Sequence, residues 1–424
     1  MNSMKAGGLA IVASATLGAA MGVAATAQAA TPAEVVKTYA DIALAEYQDS
    51  LDTAKQLQTA IAALISAPSD TTLTAAKQAW IAARAPYQQT EVYRFGNAIV
   101  DDWEGKVNAW PLDEGLIDYV NRDSYGESSD ENPFYAANVV ANTSLTVGGT
   151  TVDATEITPE LLGETLHEID GVEANVATGY HAIEFLLWGQ DLNGTGPGAG
   201  ARPASDFDVA NCTNGNCDRR GAYLQAAADL LVSDLTWMVG QWEDGGDARE
   251  AVVSDPAAGI SALLTGMGSL SYGELAGERM KLGLILHDPE EEHDCFSDNT
   301  HHSHYYDALG IRNVFLGSYT RPDGTVVSGA GLKDILPEAE AAALGEALDS
   351  TVLKMQAIVD RAEGGESYDQ QIGEGNAEGN ATVQAAIDAL VAQSKEVARA
   401  ANSLNIADLA IEGSDSLDNP SAVQ

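Results

Sequence analysis

A long run of apolar side chains at steps of three and four residues constrains this chain more than any other feature. The run opens at Thr31-Pro32-Ala33-Glu34, which offers a capping threonine, a proline at the first helical position and the glutamate of a capping box. Apolar positions then recur from Val35 to Leu64, and Pro68 ends the pattern. Because strands alternate every two residues, this period predicts one long amphipathic helix.

The same period predicts further helices at 73–95, 159–176, 223–242, 260–286, 337–362 and 380–404. Alternation with period two about a Gly-Gly pair predicts a small β-hairpin at 144–153. The stretch 287–331 carries five of the seven histidines and is predicted to be irregular. The predicted fold class is therefore all-α, built from helical bundles, with a minor β-hairpin.

The largest break in the helical pattern, at 189–221, contains seven glycines and two prolines, and predicts a domain boundary. We expect an N-terminal helical-bundle domain at 30–200, a C-terminal helical-bundle domain at 201–411 and a loose polar tail at 412–424. Each half runs through a long helix, a second helix rich in Tyr, Glu and Arg, and an irregular stretch. This shared order suggests a duplication, although the spacings differ between the halves.

Charge excludes several classes of partner. The chain has 63 acidic and 21 basic residues, a formal net charge of −42. Nucleic acids and anionic membranes require clustered Lys and Arg, so neither is an expected partner. Cation binding is compatible with this charge, but a solvated, soluble surface is its simpler explanation.

The first 29 residues predict a cleavable signal peptide. Lys5 precedes an uncharged stretch at 7–26 rich in Ala and Gly, and Ala27-Gln28-Ala29 matches a cleavage site. No later stretch approaches 18 uncharged apolar residues, so no transmembrane segment is expected in the mature chain. The expected location is the periplasm, with association with the outer membrane as a further option.

Cysteine usage is consistent with export to an oxidising compartment. Cys212 and Cys217 lie in a turn-rich loop, which favours a local disulfide between them. Cys295 is left without a predicted partner.

The sharpest local feature is Gly179-Tyr180-His181-Ala182-Ile183-Glu184. On a helix, His181 and Glu184 are three residues apart and share one face, which would provide half of a site for Zn or Fe. The alternative is a buried histidine hydrogen-bonded to a carboxylate beside an apolar core, and spacing alone favours that alternative. Standard zinc-peptidase motifs fail, since Gly171 and Phe185 stand where second histidines are needed.

A second cluster of ligand-type side chains spans His287 to His304. The density of His, Asp and Glu there could hold a metal ion or receive a partner protein, whereas a solvated acidic loop explains the same composition.

These motifs resemble the imelysin family. The Gly179-x-His181-x-x-Glu184 motif is similar to the family signature, and segments 110–118, 273–280 and 290–300 resemble its iron-regulated protein A branch. The resemblance covers nearly the whole predicted mature chain. It implies an exported all-α protein of two bundles, with the His-x-x-Glu motif near their interface. Family members are described as insulin-cleaving metallopeptidases or as iron-regulated periplasmic proteins, and a related branch serves ferrous-iron uptake.

The resemblance implies metal ligation by His181 and Glu184, with Gly179 allowing a close backbone approach. Glu91 and Asp298 are the expected further oxygen ligands, because each is a hard anion in a resembling segment. The expected surrounding residues, which would orient ligands or contact substrate, are Arg94, Asp113, Asp118, Arg279 and His301.

Three functional hypotheses follow. The favoured one is an exported protein that binds a divalent or ferric ion, Fe or Zn, as the free ion or as a chelate, and serves iron acquisition beside a membrane component of iron uptake. The alternative is a metallopeptidase of the insulin-cleaving type, so the sequence leaves enzymatic activity open. The third is a non-catalytic surface protein whose acidic loops meet a receptor.

Overall fold

Long α-helices build most of the chain in the computed structural model, which describes residues 30–147 and 149–423. The predicted signal peptide, residues 1–29, lies outside these residues. The helices are α1 (Pro32–Ser66), α2 (Asp70–Gln88), α3 (Ala98–Asn108), α4 (Glu114–Ile117), α5 (Arg122–Tyr125), α6 (Gly179–Trp188), α7 (Cys217–Trp242), α8 (Asp247–Val253), α9 (Pro256–Ser269), α10 (Leu282–Leu286), α11 (Thr300–Leu316), α12 (Glu338–Glu363), α13 (Tyr368–Ile372), α14 (Ala377–Ser403) and α15 (Asp415–Asp418). π-Helical turns cover Leu161–Leu166 and Leu270–Lys281. The all-α prediction is confirmed.

Helix α1 begins as its sequence predicts. The Thr31 hydroxyl accepts the Glu34 amide at 3.3 Å, and the Glu34 carboxylate accepts the Thr31 amide at 2.8 Å. These two bonds satisfy groups that the first helical turn leaves without partners. The apolar face of α1 is buried from Val35 to Leu64 and packs against α2 and α7.

Two antiparallel hairpins accompany the helices. Strands β1 (Ser144–Val147) and β2 (Thr150–Asp153) pair with Leu145 opposite Val152, which confirms the predicted hairpin. Strands β3 (Ser318–Thr320) and β4 (Val326–Ser328) form a second, unpredicted hairpin with Tyr319 opposite Val327. Its turn is closed by the Asp323 carboxylate, which accepts the Thr325 amide at 2.8 Å.

The predicted helix at 73–95 extends too far at its C-terminal end. Helix α2 stops at Gln88, two residues after Pro86, and the chain continues as a 3₁₀ turn at Glu91–Tyr93. The Thr90 hydroxyl donates to the Tyr87 carbonyl at 2.6 Å, which occupies a carbonyl at the helix end.

The predicted helix at 159–176 is wrong beyond its first turns. Glu168 and Asp170 adopt left-handed backbone conformations with φ of 53° and 65°. The Asn175 amide side chain donates to the Ile169 carbonyl at 2.8 Å, so the chain folds back on itself.

The predicted irregularity of 287–331 is also wrong in part, because α11 occupies 300–316. Its apolar side is short, formed by Ala308, Ile311, Val314 and Phe315. The same helix buries polar Ser303, His304 and Asp307, which conceal the helical period from a hydrophobicity pattern.

Helices α1, α2, α6 and α7 pack together. Helices α9, α11 and α14 pack with the second π-helical segment, and α12 packs on α11 and α14. A single apolar cluster extends through both groups. Although α7 follows the predicted boundary at residue 200, it packs against α1 and α6. The two-domain division and the duplication therefore stay predictions.

The segment predicted to be a loose tail packs instead on the second π-helical segment. The Ser416 hydroxyl donates to the Gly277 carbonyl at 2.9 Å, and the Tyr272 hydroxyl donates to Asp418 at 2.6 Å. The polar composition of this segment predicts no packing, but side-chain hydrogen bonds hold it on the protein.

The cysteines pair as predicted. Cys212 and Cys217 form a disulfide, and Cys295 is a free thiol. Across the described residues, no helix is both long enough and apolar enough to span a bilayer.

Candidate metal centre

Helix α6 is a short helix that lies entirely in the core, and glycine allows it to start there. Gly179 has a φ of +77°, and a Cβ at this position would clash with the carbonyl oxygen of Val107 in α3. Helix α6 therefore approaches the α3 backbone closely, and this fixes the depth of His181 and Glu184.

His181 and Glu184 meet on one face of α6, as their spacing predicts. The His181 Nδ1 lies 3.1 Å from Glu184 Oε2, and the two side chains are 1% and 0% exposed. The second oxygen of Glu184, Oε1, accepts the Ser297 amide at 2.9 Å. Both carboxylate oxygens thus have partners, and Glu184 holds the His181 ring in place.

Two residues from the segment between α10 and α11 complete the cluster. One ligand atom each from His181, His293 and Asp294 lie within 4.8 Å of one another, and all three residues are buried. The rings of His181 and His293 meet edge to face with centroids 4.8 Å apart.

Asp294 is held by charged and neutral donors. Arg84 Nη2 on α2 donates to Asp294 Oδ1 at 2.9 Å, Asn299 Nδ2 donates to Oδ2 at 2.9 Å, and the Ser303 hydroxyl donates to the same oxygen. Arg84 Nη1 also donates to Asn108 Oδ1 at 2.6 Å. Since Arg84 is 1% exposed, this is a fully buried ion pair.

Asn108 links this ion pair to the second histidine. Its Nδ2 lies 3.4 Å from His293 Nε2 and 3.0 Å from Glu104 Oε1. Because Asn108 Oδ1 accepts from Arg84, its Nδ2 faces His293 Nε2 as a donor and the neutral ring carries its proton on Nδ1, which has no hydrogen-bond partner among the described residues.

The burial of this cluster sets its protonation. Burial and the nearby Arg84 guanidinium lower the pKa of His181 to about 3, and burial and Arg279 lower the pKa of His293 well below its ordinary value. Burial works to raise the pKa of Asp294, but Arg84 and the hydrogen bonds from Ser303 and Asn299 together outweigh it, and the net shift is downward. Two neutral imidazoles and one carboxylate are therefore present at neutral pH.

The donor atoms fit a metal ion. His181 Nε2 and His293 Nδ1 are buried and have no hydrogen-bond partner among the described residues. His293 would offer a lone pair at Nδ1 once its proton moves to Nε2, a shift that the long 3.4 Å contact with Asn108 Nδ2 opposes only weakly. When His181 Nδ1 donates to Glu184, its Nε2 carries a lone pair, the form that a metal ion requires. Burial and Asp294 raise the pKa of Glu184, so ligation at Nε2 would favour loss of the Glu184 proton.

A comparison with known protein families identifies the family of this chain. The family model described as Imelysin matches residues 43–397. The chain belongs to the imelysin family.

Other imelysin-type proteins agree with this assignment. The chain is 41% identical over 64 residues to "Iron-regulated protein A" of Synechococcus elongatus, a match that spans 15% of this chain and only 18% of that protein. A solved structure described as an iron-regulated protein A precursor from Parabacteroides distasonis superposes with a TM-score of 0.62 at 16% identity, covering 89% of this chain and 97% of that one. An imelysin-like protein from Psychrobacter arcticum superposes with a TM-score of 0.54 at 16% identity, covering 91% and 99%. At these identities the two structures establish a shared fold.

Within this imelysin chain, Glu91 lies in a separate ion-pair network. Its Oε2 accepts Arg279 Nη2 at 2.5 Å and Arg94 Nη1 at 3.2 Å, and Arg279 also pairs with Asp307 at 3.2 Å. The structure thus brings Glu91, Arg94 and Arg279 together, but Glu91 is not one of the three residues that share the ligand cluster.

Asp298 is likewise outside that cluster. Burial and the nearby Asp369 carboxylate of α13 raise the pKa of Asp298 to about 7. His301 stacks on His302, with ring centroids 4.1 Å apart.

The two predicted aspartates of the 110–118 segment lie elsewhere. Asp118 accepts Arg202 at 2.8 Å and Arg220 at 2.6 Å and joins the loop after α6 to α7. Asp113 accepts Asn132 Nδ2 at 2.5 Å and lines a surface cavity.

Sequence reasoning did not single out His293, Asp294, Arg84 or Asn108. The first two stand inside the His287–His304 cluster, so their composition was visible but their distance from His181 was not. Arg84 had a signal: it shares the buried face of α2 with Trp80 and Tyr87, where a guanidinium needs a buried partner.

Proposed function

We propose that this imelysin family member is an exported protein that binds a metal ion through His181, His293 and Asp294 and serves iron acquisition. The observation that carries the proposal is the pair of buried, neutral imidazoles gathered with one carboxylate, each ring having a nitrogen without a partner among the residues that the structure describes. Buried polar atoms without partners are costly, and an ion bound at these atoms would remove that cost.

The ligand atoms limit which metal ions suit this site. Two imidazole nitrogens and one carboxylate oxygen are borderline ligands that suit Fe(II) and Zn(II) better than Ca(II) or Mg(II). Glu184 would act through His181, because its oxygens already contact the His181 ring and the Ser297 amide. When bound, the ion would supply charge that complements Asp294 and Glu184.

The descriptions of similar proteins favour iron over zinc as the bound metal. Two of the similar proteins carry the description iron-regulated protein A. Export to the periplasm rests on the predicted signal peptide and is consistent with the Cys212–Cys217 disulfide. The proposal includes delivery of the ion to a membrane component of iron uptake.

The burial of the centre argues against the metallopeptidase alternative. A peptide carbonyl would have to reach a metal whose histidine ligands are 1% and 2% exposed. Both oxygens of Glu184 have partners, so it is poorly placed to take a proton from water.

We therefore expect no peptide hydrolysis above background when the mature protein, loaded with Fe(II) or Zn(II), is incubated with an unfolded protein substrate. The measurement is chelator-sensitive fragment formation by mass spectrometry, with Glu184→Gln as the matched variant. Robust cleavage by the wild type that Glu184→Gln abolishes, with its fold intact, would replace iron binding by peptidase activity as the better account.

A further inference from the structure

A surface cavity of about 560 Å³ opens beside the metal centre. Cys295 and Phe296, which follow Asp294 directly in sequence, line it. Trp110 also lines the cavity, and the centroid of its ring lies 5.8 Å from the centroid of the His293 ring. This volume is within the range of small-ligand sites, roughly 300–1,000 Å³.

The walls of this cavity combine negative charge with aromatic surface. Its carboxylates are those of Asp113, Glu114, Asp191 and Glu290, and no Lys, Arg or His is among the described residues that line it. The rings of Tyr125 and Tyr135 stack in parallel with their centroids 4.1 Å apart, and both residues line the cavity. Carboxylates supply counter-charge for a cation, and aromatic faces attract it through their quadrupoles.

Glu114 is the group that most needs a ligand. It is only 6% exposed, and its Oε1 accepts a long hydrogen bond of 3.3 Å from Gln190. Its Oε2 accepts no hydrogen bond from another described residue, and no described Lys or Arg pairs with it. Burial and the neighbouring Glu290 raise the pKa of Glu114 to about 8, so a cation bound beside Glu114 would favour loss of its proton.

We propose that this cavity binds an organic cation, an ammonium or guanidinium group, with Glu114 as its counter-ion and Trp110 and the Tyr125–Tyr135 pair as aromatic walls. Organic cations gain from aromatic contact, whereas a hydrated metal ion keeps its water shell and gains little. Such a group arrives on a free polyamine or on a Lys or Arg side chain of a peptide. The site is distinct from the His181–His293–Asp294 cluster and does not depend on metal binding.

The rate at which a reagent modifies the free thiol of Cys295 reports which charge the cavity attracts. The mature protein is treated with a methanethiosulfonate reagent that carries either a trimethylammonium or a sulfonate group, at one pH, so that the thiolate fraction is common to both. After division by the rates with a small free thiol, the cationic reagent is expected to modify Cys295 at least about tenfold faster than the anionic one. Glu114→Gln should reduce that ratio, and Glu127→Gln, whose carboxylate is exposed elsewhere, should leave it unchanged.

Ligand protection distinguishes the two sources of the cation. Spermidine should slow the modification of Cys295 if the ligand is a free amine, and an Arg-containing peptide alone should slow it if the ligand is a peptide. If Glu114→Gln does not fold, Asp191→Asn serves as the second variant, because its carboxylate also lines the cavity. Equal normalised rates for the two reagents, or no protection by either ligand, would overturn the proposal. Because the assay needs no bound metal, its failure would leave the metal centre untouched.

Discussion

His181→Ala and His293→Ala are each expected to weaken binding of Fe(II) or Zn(II) at least tenfold, about 1.4 kcal/mol or more of binding free energy. Each substitution removes an imidazole nitrogen of the cluster that has no hydrogen-bond partner in the described part of the chain. The affinity is measured by titration calorimetry on protein without a His tag, under anaerobic conditions for Fe(II). Bound metal should also raise the melting temperature of the wild type, and each variant should lose most of that shift.

His167→Ala is the matched control for both substitutions. His167 is half-buried, and its Nδ1 lies 3.3 Å from the Thr178 hydroxyl. With Glu168 it begins like the zinc-peptidase motif His-Glu-x-x-His, but Gly171 stands where the second histidine is needed. The replacement of His167 should leave metal affinity unchanged. Equal affinities for the wild type and all three variants would make the His181–Glu184 pair a structural hydrogen bond and would place metal binding at the other histidines of the 287–304 cluster, His287, His301, His302 and His304.

Arg84→Met is expected to destabilise the metal-free protein by about 3–5 kcal/mol, because it leaves the Asp294 carboxylate buried without its cation. Methionine keeps much of the volume of the side chain that packs on Tyr180, where the guanidinium lies 5.0 Å from the ring centroid. The free energy of unfolding is measured by urea titration at neutral pH in the presence of a chelator.

Two further variants separate charge from packing. Arg84→Met combined with Asp294→Asn should recover a large part of the loss, since no uncompensated charge remains. Arg122→Met removes an ion pair with Glu127 whose side chains are 78% and 79% exposed, and should change stability by less than about 1 kcal/mol. A loss in Arg84→Met no larger than that in Arg122→Met would show that the buried pair does not hold Asp294 in place.

The local part of the fold was accessible from the sequence. The Thr31–Glu34 capping box, the α1 period and the 144–153 hairpin depend on neighbours within a few residues, and the structure contains all three. The close approach of His181 to Glu184 has the same origin, because helix geometry fixes side chains three residues apart.

The failures were of two kinds. Helix α11 was missed because its buried face mixes His304 and Asp307 with Ile311, so hydrophobicity alone shows little period. The partners His293 and Asp294 were missed because they reach α6 through tertiary packing, from a segment more than a hundred residues further along the chain. Glu91 and Asp298 stay predicted ligands, and the structure pairs Glu91 with Arg94 and Arg279.

The metal content of protein purified without a His tag tests the central claim most directly. Elemental analysis should find about one ion per chain in the wild type, with iron dominant when iron is supplied, and almost none in the His181→Ala/His293→Ala double variant. Circular dichroism should show that the double variant is still folded. Equal metal content in the two proteins would contradict the assignment of His181, His293 and Asp294 as the metal centre.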